Sequence, residues 1–115
     1  MLGQYILEGH KPIPCDDSME WVRWMQKGNR IVKQETLMTK ENKGCVVREV
    51  KISTVFLGMD HNYLHQGSPL LFETMTFGGI ENDQSICLRC STWEEAEAQH
   101  EKVKLYLLGK GKLQD

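Results

Sequence analysis

The stretch Cys45–Met59, with the sequence CVVREVKISTVFLGM, decides the class of fold. Apolar and polar residues alternate through its first half, which is typical of a strand with one covered face. The apolar residues are Val46, Val50 and Ile52, and the polar residues are Glu49, Lys51 and Ser53. Because its second half, Thr54–Leu57, is apolar on both faces, the pattern predicts a central strand lying beneath a helix.

Shorter segments with strand patterns lie on both sides of this stretch. They are Tyr5–Leu7, Arg30–Met38 before a polar turn at Lys40–Gly44, Leu70–Phe77 after a loop at Asp60–Pro69, and Ser85–Cys90 after an acidic turn at Ile80–Gln84. Gly78 and Gly79 end the strand Leu70–Phe77. The segment Lys11–Cys15 is predicted to be extended, because proline disfavours helix in the residue before it.

Two helices are predicted from capping signals and from helical spacing. Asp17 can cap the first helix, with Glu20 three residues later, and Gly28 ends it. Ser91–Glu94 matches a capping box for the second helix. The apolar stripe of the second helix is Trp93, Ala96, His100, Val103 and Leu107.

These elements predict one α+β domain over residues 1–115. It consists of an antiparallel sheet of four to five strands, with a short N-terminal helix and a long C-terminal helix on one face. A chain of 115 residues has the usual size of a single domain.

The charge of the chain is close to neutral overall but unevenly distributed. The net charge of -2 excludes a strongly basic nucleic-acid-binding protein. Residues 20–51 carry eight Lys or Arg and four acidic residues, whereas residues 52–101 carry one Arg and eight acidic residues. A solvated, dipolar surface is the simpler interpretation, and an acidic surface that meets a basic partner is the alternative.

The first residues lack the basic and long apolar segments of a secretory signal, and no stretch is apolar enough to span a membrane. We therefore expect a cytoplasmic protein whose cysteines stay reduced, namely Cys15, Cys45, Cys87 and Cys90. Cys87 and Cys90 have the spacing of a zinc pair, but residues three apart on a strand point to opposite faces. Buried or edge thiols are therefore favoured over zinc.

Four polar residues are candidate ligand-binding residues. Asp60 and His61 follow the buried strand, where a sheet holds the backbone of a loop in place. Glu73 shares its strand face with apolar residues, and His100 lies on the apolar stripe of the last helix. If that helix packs on the sheet, the four side chains can converge.

Two kinds of chemistry would use such a cluster. Histidine and carboxylate groups can hold a divalent metal that activates water, or a histidine–carboxylate pair can act as a general base. No motif predicts a cofactor, and a divalent metal is the one candidate. The simpler interpretation is favoured: Glu73 pairs with a buried histidine or arginine, His100 is a satisfied core residue, and Asp60 caps its own loop through an Asx turn.

Trp21 and Trp24 are the candidate interface residues. They belong to the core by default, because they lie on one face of the first helix. If that face extends beyond the sheet, they become the contact surface of a homo-oligomer.

Three quoted segments carry a resemblance that covers nearly the whole chain. They are STVFLGMDH at 53–61, LFETMTFGG at 71–79 and STWEEAEAQH at 91–100, preceded by YILEGHKPIP at 5–14 and EWVRW at 20–24. In order and spacing they resemble a family of small phage and prophage proteins of unknown function. The matching positions include Asp60, His61, Glu73, Thr74, Gly78, Gly79, Trp93 and His100. The chain departs from the family pattern at Cys87 and Cys90, and in the loop Asn62–Ser68, which is rich in glycine and proline in the family.

The resemblance implies a phage accessory protein rather than a capsid or tail component. We expect a non-enzymatic protein in the cytoplasm of the bacterial host that binds a host protein or a small ligand. Such a protein would serve as a counter-defence inhibitor or as a sponge for a signal such as a nucleotide. The alternative is a small metal-dependent or acid–base enzyme that uses Asp60, His61, Glu73 and His100.

Overall fold

The computed structural model describes residues 3–40, 47–78 and 86–109. In chain order the elements are β1 (Tyr5–Glu8), β2 (Lys11–Pro14), α1 (Ser18–Lys27), β3 (Ile31–Lys40), β4 (Val47–Phe56), β5 (Phe72–Phe77), β6 (Cys87–Cys90) and α2 (Trp93–Leu107). The turns predicted at Lys40–Gly44 (beyond Lys40 itself) and Ile80–Gln84 lie outside the described residues, as do Cys45, Val46, Gly79 and Ser85.

The α+β class is confirmed, but the prediction of one sheet with four to five strands is wrong. The described strands form an antiparallel pair, β1–β2, and a four-stranded antiparallel meander in the order β3–β4–β5–β6. The β1–β2 pair precedes the first helix, with β1 at the predicted strand Tyr5–Leu7 and β2 in the segment predicted only to be extended. Among the described residues, no helix is both long enough and apolar enough to cross a membrane.

The β1–β2 hairpin turns over two residues, Gly9 and His10. Glu8 pairs with Lys11 across the turn, and Gly9 has a φ of 62°, a conformation that glycine adopts without strain. Proline donates no backbone hydrogen bond and is tolerated at a sheet edge, which is where Pro12 and Pro14 lie. Because of the prolines, the sequence pattern predicts only an extended segment where the structure has strand β2.

Strand β4 is the central strand that its sequence predicts. Ile52, Thr54 and Phe56 have no exposed surface, and they occupy the face on which α2 packs. The pairing of β4 with β5 sets Thr54 opposite Thr74 and Phe56 opposite Phe72. Buried apolar and threonine side chains thus form the layer beneath the helix.

Helix α2 begins one residue later than its predicted capping box. The Thr92 hydroxyl accepts the Glu95 N–H at 3.1 Å, and the Glu95 carboxylate accepts the Thr92 N–H at 3.1 Å. The box is therefore formed by Thr92 and Glu95 rather than by Ser91 and Glu94. Ala96, His100 and Val103 are the buried residues of the helix.

Helix α1 lies over the same face as α2 and is attached through its tryptophans. The Trp21 Nε1–H donates to the carbonyl of Gly58 at 2.9 Å, and the Trp24 ring meets the Phe56 ring edge-on with 5.6 Å between centroids. Asp17 caps the helix as predicted, and none of the helix residues is fully buried. The other face of the meander is covered by neither helix.

Candidate functional site

The core of the domain contains a hydrogen-bonded chain centred on His100. The imidazole has no exposed surface. Its Nδ1 lies 2.7 Å from the hydroxyl of Thr54, and its Nε2 lies 2.7 Å from Oε1 of Glu35. The Thr54 hydroxyl lies 2.8 Å from that of Thr74, and Glu35 Oε2 lies 3.1 Å from Nζ of Lys104. The chain of contacts thus connects α2 with strands β3, β4 and β5.

The ionised carboxylate of Glu35 can only accept hydrogen bonds, and this fixes where the hydrogens lie along the row of contacts. Nε2 of His100 carries the hydrogen that Glu35 accepts, and with the ring hydrogen on Nε2 alone, Nδ1 accepts the hydroxyl hydrogen of Thr54. The Thr54 oxygen in turn accepts from Thr74. Every buried polar atom named here has a partner, as a stable buried network requires.

The same order of groups, carboxylate to imidazole to hydroxyl, occurs in nucleophilic enzymes. Here the imidazole and both hydroxyls lie beneath α2, since His100, Thr54 and Thr74 are each 0% exposed. A substrate has no path to these atoms in this arrangement. The chemistry that the geometry supports is therefore internal: it fixes the position of α2 on the sheet.

Glu35 gives this network a defined pH dependence. Partial burial acts to raise the pKa of its carboxyl, but the hydrogen bonds from His100 and Lys104 and the nearby charge of Lys33 hold it below the ordinary value. A carboxyl whose pKa is lower in the folded state stabilises the fold above its unfolded pKa. That contribution is lost as the pH falls through its folded pKa.

We expect the free energy of unfolding to fall on acidification by more in the wild type than in Glu35→Gln. Denaturant titrations at neutral pH and at a series of pH values below the ordinary pKa of a glutamate would measure this difference. Glu97→Gln removes an exposed carboxylate of the same domain and serves as the control. Parallel acid profiles for the wild type and Glu35→Gln would contradict the assignment.

Glu73 lies on the opposite face of the sheet from His100. Neighbouring residues of a strand alternate faces, so Thr74 points to α2 and Glu73 points away. The Glu73 carboxylate accepts from Nε of Arg89 at 2.9 Å and lies 3.6 Å from Sγ of Cys87. The structure therefore does not bring Glu73 and His100 together. Glu73 pairs with an exposed arginine, whereas the simpler interpretation expected a buried histidine or arginine.

Cys87 and Cys90 point to opposite faces of β6. Cys87 lies on the face of Glu73, whereas Cys90 packs against the core cluster. Burial and the charge of Glu73 raise the pKa of the Cys87 thiol, and burial raises that of Cys90 to about 11. No group of three His, Cys, Asp or Glu side chains in the described part of the chain is arranged to hold a metal ion.

Asp60 holds the two ends of the loop between β4 and β5 together. One carboxylate oxygen accepts the backbone N–H of Asn62 at 2.8 Å and that of Leu70 at 2.9 Å. The first of these bonds is the expected Asx turn. The Asn62 side chain donates to the carbonyls of Gln66 at 2.6 Å and Ser68 at 3.1 Å. Both residues act on the backbone of their own loop.

His61 belongs to the same loop and lies partly buried. Its Nδ1 donates to the carbonyl of Met59 at 2.8 Å, and its backbone N–H donates to the carbonyl of Leu70 at 2.9 Å. Its ring lies 5.8 Å from that of Tyr63. The four candidate residues therefore fall into three separate places: the buried network, the open sheet face and this loop.

The loop presents large apolar side chains at its tip. Tyr63 is 60% exposed and Leu64 is 78% exposed, the largest exposed fraction among the large hydrophobic side chains of the described residues. His65 follows with a φ of 52°, and Gly67 has a φ of 81°. A non-glycine residue with positive φ costs backbone energy and persists only where the surroundings enforce it.

Trp21 and Trp24 are half-buried against the domain itself. Trp24 packs on the core cluster, and the indole N–H of Trp21 is engaged by Gly58. The large apolar residues that α1 exposes are Met19 and Val22, at 63% and 39%. The tryptophans therefore hold α1 on the sheet.

The sequence interpretation did not select Glu35 or Thr54. Glu35 lies 65 positions before His100 in the chain, and its strand segment is rich in polar residues. The one local signal was His100 on an apolar stripe, because a buried imidazole needs hydrogen-bond partners. Which residues supply them depends on the strand register.

Comparison of the chain with protein-family models, with curated proteins and with solved structures finds no match. The resemblance to small phage proteins therefore stays a prediction.

Proposed function

We propose that the chain is a non-catalytic protein-binding domain whose recognition element is the loop Asp60–Leu70. The observation that carries the proposal is the exposure of Tyr63 and Leu64, at 60% and 78%, on a loop that Asp60 and Asn62 hold in shape. Exposed tyrosines on preorganised loops are frequent centres of protein interfaces.

Hydrogen bonds hold the loop in one shape in the free protein, and this order favours binding. Asp60 joins the start of the loop to Leu70 through one oxygen, and Asn62 spans its interior. A loop already ordered in the free protein loses little conformational entropy when it binds. The tip then offers one aromatic and one aliphatic side chain to a partner with an apolar pocket.

The separation of the candidate residues supports a binding role over an enzymatic one. The alternative of an acid–base or metal enzyme depends on Asp60, His61, Glu73 and His100 acting together. Asp60 and His61 instead bond to backbone groups of the loop, and Glu73 bonds to Arg89. In keeping with the resemblance, we propose a bacterial host protein as the partner and a phage accessory role for the chain.

Capture from a bacterial lysate by the immobilised chain, followed by affinity measurement with the recovered partner, tests this proposal. We expect Tyr63→Ala or Leu64→Ala to weaken binding about tenfold or more, as truncation of an interface hot spot does. Leu105→Ala, which truncates a leucine of α2 that is 42% exposed, is the matched control and should bind normally.

A second pair of variants separates loop shape from side-chain contact. Asp60→Ala removes the acceptor of two backbone N–H groups and should weaken binding although Tyr63 and Leu64 remain. Asp60→Asn keeps a side-chain oxygen there and should retain most of the affinity. A partner that binds all loop variants as well as the wild type, or binding of a small ligand alone, would overturn the proposal.

A further inference from the structure

In the described part of the chain, no strand pairs with the outer side of β6, the last strand of the meander. The Thr76 N–H donates to the carbonyl of Ile86 at 3.1 Å, so alternate residues of β6 direct their backbone groups toward β5. Leu88 and Cys90 follow Ile86 in this pattern. The N–H and C=O groups of Cys87 and Arg89 therefore point away from the sheet, where a further strand would pair.

A groove of about 460 Å³ separates this edge from α2. On the helix side it is lined by Glu95, Ala98, Gln99 and Lys102, and on the strand side by Leu88, Arg89 and Cys90. Nε2 of Gln99 reaches the outward carbonyl of Arg89 at 3.4 Å, a long hydrogen bond. Oε1 of Gln99 is buried without a hydrogen-bond partner in the described part of the chain.

Both sides of the groove are self-complementary under a two-fold axis. Antiparallel pairing of β6 with a second β6 about Leu88 sets Cys87 opposite Arg89 of the second copy, which pairs the outward backbone groups in both directions. The same reversal of α2 about Ala98 and Gln99 turns Glu95 toward Lys102 of the second copy. Glu95 of each copy then faces Lys102 of the other, so that two pairs of opposite charge lie across the axis.

We propose that the chain forms a two-fold symmetric dimer through β6 and the groove beside α2. The two meanders join into one eight-stranded antiparallel sheet with both α2 helices on the same face. The outward groups of Cys87 and Arg89 gain strand partners, the Arg89 carbonyl in addition to its long bond from Gln99, and the Leu88 side chains meet at the axis. The dimer uses a surface different from the loop Asp60–Leu70, so it stands independently of the proposed function.

The opposite edge of the meander is unsuited to such pairing. Strand β3 contains an irregularity in register between Ile31 and Lys33. Its charged side chains are engaged within the chain, since Lys33 pairs with Glu101 at 2.9 Å and Glu35 with His100. A bulge and inward charges are the features by which natural sheets prevent edge pairing. The described part of β6 has no irregularity in register, and its one charged side chain, Arg89, pairs with Glu73 on the face away from α2.

Variants that reverse or exchange the charges of Glu95 and Lys102 test the dimer. Sedimentation velocity over a range of concentrations measures their dimerisation. Lys102→Glu alone sets two carboxylates against each other across the axis, and Glu95→Lys alone sets two lysines together. We expect each to raise the dimer dissociation constant about tenfold or more. The double variant, Glu95→Lys with Lys102→Glu, should restore dimerisation because the opposite charges are exchanged. Glu97→Lys is the control for net charge and should leave the dimer intact.

A variant of the strand edge tests the pairing itself. Cys87 begins β6 and directs its N–H outward, so Cys87→Pro removes a donor to the second copy and none to β5. It should be monomeric, whereas Cys87→Ser should still dimerise, and circular dichroism checks that both are folded. The proposal would be refuted if the wild type stays monomeric at submillimolar concentration. Binding of extended peptides at this edge by such a monomer would not rescue it. A dimer that neither charge reversal nor Cys87→Pro weakens would also refute the proposal.

Discussion

Replacement of His100 with alanine is expected to lower the free energy of unfolding by about 3–4 kcal/mol. The loss has two sources. A cavity remains where a side chain without exposed surface packs, and the hydroxyl of Thr54 loses the partner that lies 2.7 Å away. Since domains of this size are stable by only about 5–15 kcal/mol, the variant should melt far below the wild type.

Urea titration of the wild type, His100→Ala and an exposed control on the same helix, Glu97→Ala, measures this effect. The control should stay within about 0.5 kcal/mol of the wild type. Thr54→Val adds a coupling test. Because His100 and Thr54 bond to each other, the double variant should cost less than the sum of the two single variants. Additive losses would show that the two side chains do not act as one network.

Truncation of Phe56 to alanine is expected to cost about 3–5 kcal/mol. The ring has no exposed surface and connects two parts of the core. Its centroid lies 5.6 Å from that of Trp24 on α1 and 5.3 Å from that of Phe72 on β5. Its removal therefore weakens the sheet core and the attachment of α1 together.

Phe77→Ala is the matched control for this variant. Phe77 is also a phenylalanine of the meander, but its side chain is 49% exposed, so its loss should cost about 1 kcal/mol or less. Chemical denaturation gives both values, and tryptophan fluorescence reports whether Trp24 gains solvent exposure. Equal losses for Phe56→Ala and Phe77→Ala would show that Phe56 has no special place in the core.

Local signals in the sequence predicted the helices, the central strand and the class of fold. Asp17 caps α1 because its carboxylate accepts nearby N–H groups, and this signal needs no distant residue. The alternation through Val50 and Ile52 placed one face of β4 in the core, where the structure has it. Prolines at 12 and 14 obscured β2, since a strand at a sheet edge can do without the hydrogen bonds that proline lacks.

The sequence by itself determined that His100 lies on a buried stripe, that Asp60 follows a buried strand and that Glu73 shares a face with apolar residues. Only the tertiary structure decided their partners. The register of β3, β4 and β5 gives His100 the side chains of Glu35 and Thr54, and it turns Glu73 to the opposite face with Arg89. Spacing along a strand fixes which residues share a face. It does not fix which strand lies alongside, because pairing joins residues that are far apart in the chain.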